Sequence, residues 1–412
     1  MSRGLYQCFD DVWLLDGLRT PLVDYCGAFA GVSPTDLGIK VAREVLARSG
    51  VAGEAVDSVL VGNVAPGDTD HFFLPRHVGL YAGVPIDVPA LLVQRICGTG
   101  FELFRQAAEQ VSAGVAATVL VVGTESMTRH PISAFEHRQG FRLGAPLGFK
   151  DTLWESLNDT AVGVSMIQTA ENLARRYGIT REEVDAFASR SFERAVAAQE
   201  SGWLAGEIVS VTHERFEREG CLPRGIRLQG EAAVVDRDTH PRRSPPQVLA
   251  RLRTIYPGGV QTAGNSSALT DGAAAAVVTS GPALQGRRPL GRIAAAAVVG
   301  VPPEIMGIAP APAIRLLLES QHLRVHDIAR IEVNEAQGAQ VLAVQRDLDL
   351  DPERLNVHGG AIALGHPLAA SGVRLTVTVA RQLRAIGARY GIASACVGGG
   401  QGMALLIENP DA

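Results

Sequence analysis

Two short apolar runs, SVLVGNV from Ser58 and IEVNEA from Ile331, each close on an asparagine, Asn63 and Asn334, and these stand 271 positions apart. A second pair of runs, VLVVGTE and ASACVGG, places Gly123 and Cys396 273 positions apart. Similar offsets between similar runs suggest an internal duplication, the feature that most restricts the fold, because whatever layer the first set builds the second builds again. Chance readily supplies one such match, so the runs alone leave the repeat open.

The runs are short and β-branched, and they alternate with longer helical patterns, which makes them strands of a layered α/β fold. In DLGIKVAREVLARSG, from Asp36, the apolar residues Leu37, Val41, Val45 and Leu46 recur at helical spacing, and Gly50 supplies the stop. From about 127 to 269 the texture changes to Arg- and Pro-rich loops, GFRLGAPLGFK and DTHPRRSPPQ among them, around one helical block. That block begins at TAENLARRYG. It continues through Thr180 and Glu183, spaced as a capping box, into Val184, Phe187, Ala188 and Ser191. This segment reads as an inserted loop domain, either purely architectural or carrying binding loops. The expected organisation is residues 1–126 plus about 270–290 as the N-terminal half, 127–269 as the insertion and 291–412 as the C-terminal half.

With 412 residues, 46% hydrophobic and 20% charged, the chain has ample core for two or three domains. A net charge of −5 without a basic run argues against a nucleic-acid surface, and no stretch is long and apolar enough to span a bilayer. Asp10 and Asp11 interrupt the N-terminal segment where a secretory signal needs an apolar core. Five cysteines, at 8, 26, 97, 221 and 396, are odd in number and scattered, which suits a reducing compartment; the expectation is a cytoplasmic protein.

Four residues sit in settings that expose a reactive side chain. Cys97, in QRICGTGFELF, precedes Phe101, Phe104, Ala108 and Val111 on one helical face, so its thiol stands at a helix start, which favours the thiolate. Cysteine is also among the residue types most often buried and inert. His366 lies in NVHGGAIALGHPLAASG, where Gly359, Gly360 and Gly365 permit unusual backbone angles and Pro367 fixes the chain after the imidazole. Cys396 precedes Gly398, Gly399 and Gly400, whose amides can approach an oxyanion or phosphate, or simply form a tight turn. Asn334 ends a strand, where ligand-facing residues gather in α/β folds and where asparagine also just closes turns. Two cysteines, a histidine and an asparagine together point to thioester chemistry.

Strings in a fixed order carry a resemblance: DGLRTP near the N-terminus, CGTG at Cys97, GTESM from Gly123, TAEN, TAGNSSALTDGAAA from Thr262, then NEA, GHP and CVGGGQG. The chain resembles the thiolases, the acetyl-CoA acyltransferases, along nearly its whole length. The resemblance implies a five-layered α-β-α-β-α arrangement of two similar halves with an inserted loop domain. It also implies a homotetramer or homodimer, coenzyme A and acyl-CoA as substrates, and neither a metal nor a permanently bound cofactor. By it, Cys97 is the nucleophile that becomes acylated, His366 its base, and Cys396 the acid/base at the α-carbon. One oxyanion hole then uses His366 and a water held by Asn334, the other the N–H groups of Cys97 and Gly398. Arg242 in the inserted segment, Ser267 and Ala263 in the TAGNSS string, Tyr256 and Met166 match positions around coenzyme A and the acyl pocket.

The chain departs from the family pattern in three places. Ser165 stands for a CoA-contacting histidine, Phe101-Glu102 for leucine-glutamine, and Gln337 for a phenylalanine over the site, which makes Gln337 the candidate specificity residue and a polar acyl chain the expected consequence. The alternatives are a decarboxylating ketosynthase-like enzyme of the same superfamily, which would not need Cys396, a non-catalytic thiolase-like subunit, and a Cys-His hydrolase, which leaves the second cysteine unexplained.

Overall fold

The computed structural model describes residues 3–412. Its strands that matter for the site are β1 (Val12–Arg19), β2 (Ser58–Gly62), β3 (Ala90–Val93), β4 (Thr118–Ser126) and β5 (Thr270–Ser280), then β6 (Gly291–Gly300), β7 (Ile328–Val333), β8 (Tyr390–Val397) and β9 (Gln401–Glu408). The principal helices are α1 (Pro34–Ser49), α2 (Thr99–Ser112), α3 (Met166–Tyr177), α4 (Arg181–Glu200), α5 (Pro310–Ser320), α6 (Gly338–Leu348) and α7 (Leu368–Ile386).

Hydrogen bonding runs through the strands in the order β7-β8-β9-β6-β1-β5-β4-β2-β3. The join between the halves is slight, two residue pairs of β1 and β6 at Leu14 and Gly291 and at Trp13 and Arg292. On either side of it the pattern repeats. β2 is parallel to β4, which is antiparallel to β5, which is antiparallel to β1; β7 is parallel to β8, β8 antiparallel to β9, and β9 antiparallel to β6. Even the register coincides: Val61 faces Val122 as Glu332 faces Ala393, and Gly62 faces Gly123 as Val333 faces Ser394. A single offset of 271 thus relates both pairs of strands. The sequence pairing of Gly123 with Cys396 is therefore corrected by two residues: Gly123 matches Ser394, and the counterpart of Cys396 is Glu125. Gly-rich ends of apolar runs look alike in sequence, and only the cross-strand partner fixes which residue matches which.

Helices α2 and α7 pack against each other and between the sheets, α1 covers the outer face of the N-terminal sheet, and α5 that of the C-terminal one. These are the five layers α-β-α-β-α. The central position explains why α7 is buried at every residue through Ala380, its largely apolar surface interrupted by the buried Ser371, Arg374, Thr376 and Thr378. Its contact with α2 demands glycine on both helices. A Cβ on Gly100 would lie 2.5 Å from the Val373 nitrogen, and one on Gly372 would lie 2.5 Å from the Phe101 nitrogen. Ala-rich β5 and β6 are covered on both faces and are buried from Thr270 to Thr279 and from Ile293 to Val299.

Between β4 and β5 the chain adds no strand to this sheet among the described residues and forms four small two-stranded ribbons around α3 and α4. The capping box at the start of α4 is present, with Thr180 and Glu183 satisfying each other's backbone amides. Buried ion pairs tie the segment to the body: Arg19, 1% exposed, binds Glu207 at 2.8 Å and Asp238 at 2.6 Å, and Glu207 also receives Arg381 of α7 at 2.8 Å.

Candidate active site

Cys97 stands at a sharp turn between β3 and α2. Ile96, just before it, has a φ of +44°, a backbone conformation that a β-branched side chain rarely adopts. Thr99 holds the turn, its hydroxyl donating to the Ile96 carbonyl at 2.7 Å and accepting from the Arg95 amide at 2.8 Å. Cys97 is 7% exposed and packs with Met127, Leu153 and Leu368.

Burial pushes the Cys97 thiol up to about 11, while the N–H groups of Gly398 and of Cys97 itself pull the other way. The helix start therefore does not yield a thiolate in the free enzyme, contrary to the sequence expectation, because desolvation of the anion outweighs the amides that face it. Cys396, fully buried near the end of β8, is pushed up further, by burial and then by the neighbouring Cys97. Its surroundings are Met166, Met306 and Ala336, with Leu157 at the rim.

His366 enters on the loop before α7, its amide donating to the Ala268 carbonyl at 3.0 Å. The Ser371 hydroxyl donates to the Pro367 carbonyl at 2.9 Å and so must accept from His366 Nδ1, 2.6 Å away. That places the proton on Nδ1 and leaves Nε2 basic, facing the Asn334 amide nitrogen at 3.3 Å. Burial, then the charge of Arg374, lower His366 to about 3, so the imidazole is neutral at physiological pH. The Asn334 Oδ1 is buried without a hydrogen-bond partner among the described residues.

Glu335 braces this arrangement. Its carboxylate accepts from Ser191 at 2.6 Å, Asn356 at 2.9 Å and the Ile362 amide at 3.2 Å, and it lies so close to Gly360 that a Cβ there would fall 2.2 Å from its Cδ. The structure thus brings Cys97, Cys396, Gly398, His366 and Asn334 together, with Met166 beside Cys396. Ser267 joins them through its backbone N–H, which donates to the Ala336 carbonyl at 3.0 Å. Tyr256 binds Ser165 at 2.8 Å, at the start of the helix that carries Met166. Arg242 is exposed and lies over the Phe192 ring at 5.1 Å, its side-chain hydrogen bonds among the described residues going to His240, and Ala263 is exposed on its own turn. Sequence reasoning passed over Ser371, Glu335 and Glu125, although each stands inside a string it had singled out.

Two family models account for the chain: the thiolase N-terminal domain matches residues 12–281 and the thiolase C-terminal domain residues 287–409. The chain belongs to the thiolase family. The mitochondrial 3-ketoacyl-CoA thiolase of Bos taurus is 40% identical over 404 residues, 97% of this chain and 98% of that protein. A β-ketoadipyl-CoA thiolase of Acinetobacter baylyi is 41% identical, covering 96% of this chain and 98% of its own length. The crystal structure of human mitochondrial 3-ketoacyl-CoA thiolase superposes with a TM-score of 0.91 at 39% identity, over 97% of this chain and 99% of that one. This thiolase is an acyltransferase, catalysing CoA-dependent thiolytic cleavage of a 3-oxoacyl-CoA or the reverse condensation.

Proposed function

We propose that Cys97 carries the acyl group in this reaction and that Cys396 moves the proton at the α-carbon. One observation above all supports the division: the N–H groups of Gly398 and Cys97 lie where they favour negative charge at the Cys97 thiol, and Cys396 is near enough to be affected by that charge. Donors placed there meet the oxygen of a thioester bonded to Cys97. In cleavage, His366 Nε2 takes the Cys97 proton as sulfur attacks the 3-oxo carbonyl. The C2–C3 bond then breaks, and the leaving enolate of acetyl-CoA takes the Cys396 proton. A second coenzyme A gives its thiol proton to Cys396 and takes the acyl group, while His366 returns the first proton to Cys97. The enolate oxygen is met by His366 Nε2 and a water held by Asn334.

Because thiol and imidazole are both uncharged in the free enzyme, charge forms only once substrate is present to stabilise it. Coenzyme A is held in this reading by Ser267, Tyr256, Met166, Ala263 and Arg242. The decarboxylating and hydrolytic alternatives leave Cys396 unused. The test is Cys396→Ala: thiolysis should fall by about 10²–10⁴, whereas acetyl transfer between coenzyme A molecules, which needs only Cys97 and His366, should persist. Parent-level thiolysis in this variant would refute the two-cysteine assignment.

The acyl chain accepted is, in the same proposal, a polar one. Gln337 is 6% exposed, opens α6 next to Ala336 of the Cys396 pocket, and has a buried Oε1 without a partner among the described residues. An unpaired buried amide disfavours a plain alkyl neighbour. The Acinetobacter baylyi relative is named for β-ketoadipyl-CoA, whose acyl chain derives from a dicarboxylic acid. Comparing kcat/KM across 3-oxoacyl-CoA esters tests this, and equal rates on acetoacetyl-CoA and on every polar ester would dismiss it. A homotetramer or homodimer also belongs to the proposal, supported by the exposed Phe135, Phe141, Leu143, Phe149 and Trp154 in the insertion. So does the cytoplasm: all five cysteines are unpaired, as a reducing compartment requires, although the mammalian relatives are named as mitochondrial.

A further inference from the structure

The single offset that relates the two halves pairs Cys396 with Glu125. Cys396, on the C-terminal sheet, stands beside Cys97 at the start of α2, a helix of the N-terminal half. Glu125, on the N-terminal sheet, stands at the start of α7, a helix of the C-terminal half, where its Oε2 accepts from the Ala369 amide at 3.2 Å. Each strand end addresses the leading turn of the helix contributed by the other half, so the molecule holds a reacting location and a pseudo-equivalent one, and a carboxylate occupies the second.

That carboxylate is fully buried. Its Oε1 accepts from Asn63 Nδ2 at 3.0 Å and the Ala65 amide at 3.3 Å, with His130 Nε2 also 3.3 Å away; its Oε2 accepts from the Val64 amide at 3.1 Å as well as from Ala369. Donors meet both oxygens, a set that suits the ionised, acceptor-only form. Asn63, the counterpart of Asn334, is thereby spent on Glu125 and on the Thr124 carbonyl at 2.9 Å. Helix α7 lacks a side-chain cap of its own, because Pro367 occupies the capping position. Glu125 supplies the missing acceptor and puts negative charge at the positive end of the helix.

We propose that Glu125 is a positioning residue for thiolysis, anchoring the first turn of α7 so that Ser371 holds His366 in its reactive orientation and presenting a fixed negative charge to Cys97. The path is short: Glu125 holds the Ala369 amide, the same turn carries Ser371, and Ser371 Oγ orients His366 Nδ1. Burial is the main reason that the Cys97 thiol stays protonated, and the charge of Glu125, whose neighbours Met127 and Leu368 pack on that thiol, adds to it in the same direction. The titratable and charged groups around this region are His130 and His71 beside Glu125, Cys396 beside Cys97, and Arg374 beside His366.

The proposal rests on Cys97 being the nucleophile, and the experiment separates the two. Loss of thiolysis on treatment with iodoacetamide is followed against pH, with acyl-CoA protection in the parent enzyme establishing that the essential thiol is in the site; without protection, the reading of Cys97 fails rather than that of Glu125. Glu125→Gln should lower kcat about tenfold or more with KM changed no more than about threefold, and should move the inactivation profile to lower pH. Glu125→Asp keeps the charge and retracts it, so kcat should fall while the profile stays near that of the parent. An unmoved profile in Glu125→Gln, or a parent-level kcat, overturns the proposal, since a merely structural role would lower melting temperature without shifting thiol reactivity. If Glu125→Gln does not fold, Glu125→Asp decides: parent-level kcat overturns the proposal, and reduced kcat at parent melting temperature upholds it.

Discussion

At the scale of single residues the candidate site is one that withholds charge. Cys97, Cys396 and His366 are all buried, and each is driven toward its neutral form, the thiols upward and the imidazole downward. Orientation then matters more than free basicity, and Ser371 provides it through His366 Nδ1. Ser371→Ala removes that partner and frees the ring to take the other tautomer. The expected outcome is a fall in kcat of about 10- to 100-fold with KM for coenzyme A little changed, read from steady-state kinetics. Cys97, His366, Asn334 and Cys396 were legible in the sequence because each stands in a glycine-rich string whose backbone demands are local. Ser371 and Glu125 lay in the same strings and were passed over, since nothing about a serine five residues after a histidine says which carbonyl its hydroxyl will find.

At the scale of elements the decisive contact is α2 against α7. Each helix brings a reactive residue to its leading end, Cys97 before α2 and His366 before α7, and Gly100 meeting Gly372 lets the backbones approach. Gly372→Val should therefore destabilise by about 3 kcal/mol or more, because the clash is with backbone that cannot turn aside. Urea denaturation measures the loss, and a midpoint like the parent's would show that the crossing tolerates a side chain. Helical periodicity marked α1 and the capping box marked α4, both from residues within one or two turns. The duplication was visible too, but with Cys396 set against the wrong partner, because register is decided by the neighbouring strand and not by the run itself.

At the scale of the whole molecule, pH sets stability through groups far apart in sequence. Burial lowers His358 to about 4 and His366 to about 3 from an ordinary 6.5, so the unfolded chain binds protons that the folded one refuses as pH falls below about 6.5. Stability is lost from there downward. Glu207, held near 2 against the opposing cost of burial by Arg19 and Arg381, adds a further loss between 4.5 and 2. Glu332, raised to about 7 by burial, acts in the opposite sense: its contribution is full below 4.5 and fades as pH rises through 7. Melting temperature should fall steadily from pH 6.5 to 4. His358→Phe, which keeps a ring against Trp203, now stacked at 4.3 Å, should flatten that slope. Equal slopes in the two proteins would remove His358 from the account.

By itself the sequence determined which local geometries were available: the strands and helices and the glycine-rich turns in which the candidate side chains stand, along with a resemblance that named the chemistry. These follow from nearest-neighbour sterics and short-range periodicity, which a string of residues carries wherever it is placed. Only the tertiary structure decided that Cys97 from one half meets Cys396 and Gly398 from the other, and that Glu125 fills the matching place at α7. It decided as well that a thiol expected to ionise is instead kept neutral. Those outcomes depend on two helices being enclosed between two sheets, and desolvation belongs to the enclosure, not to the residue.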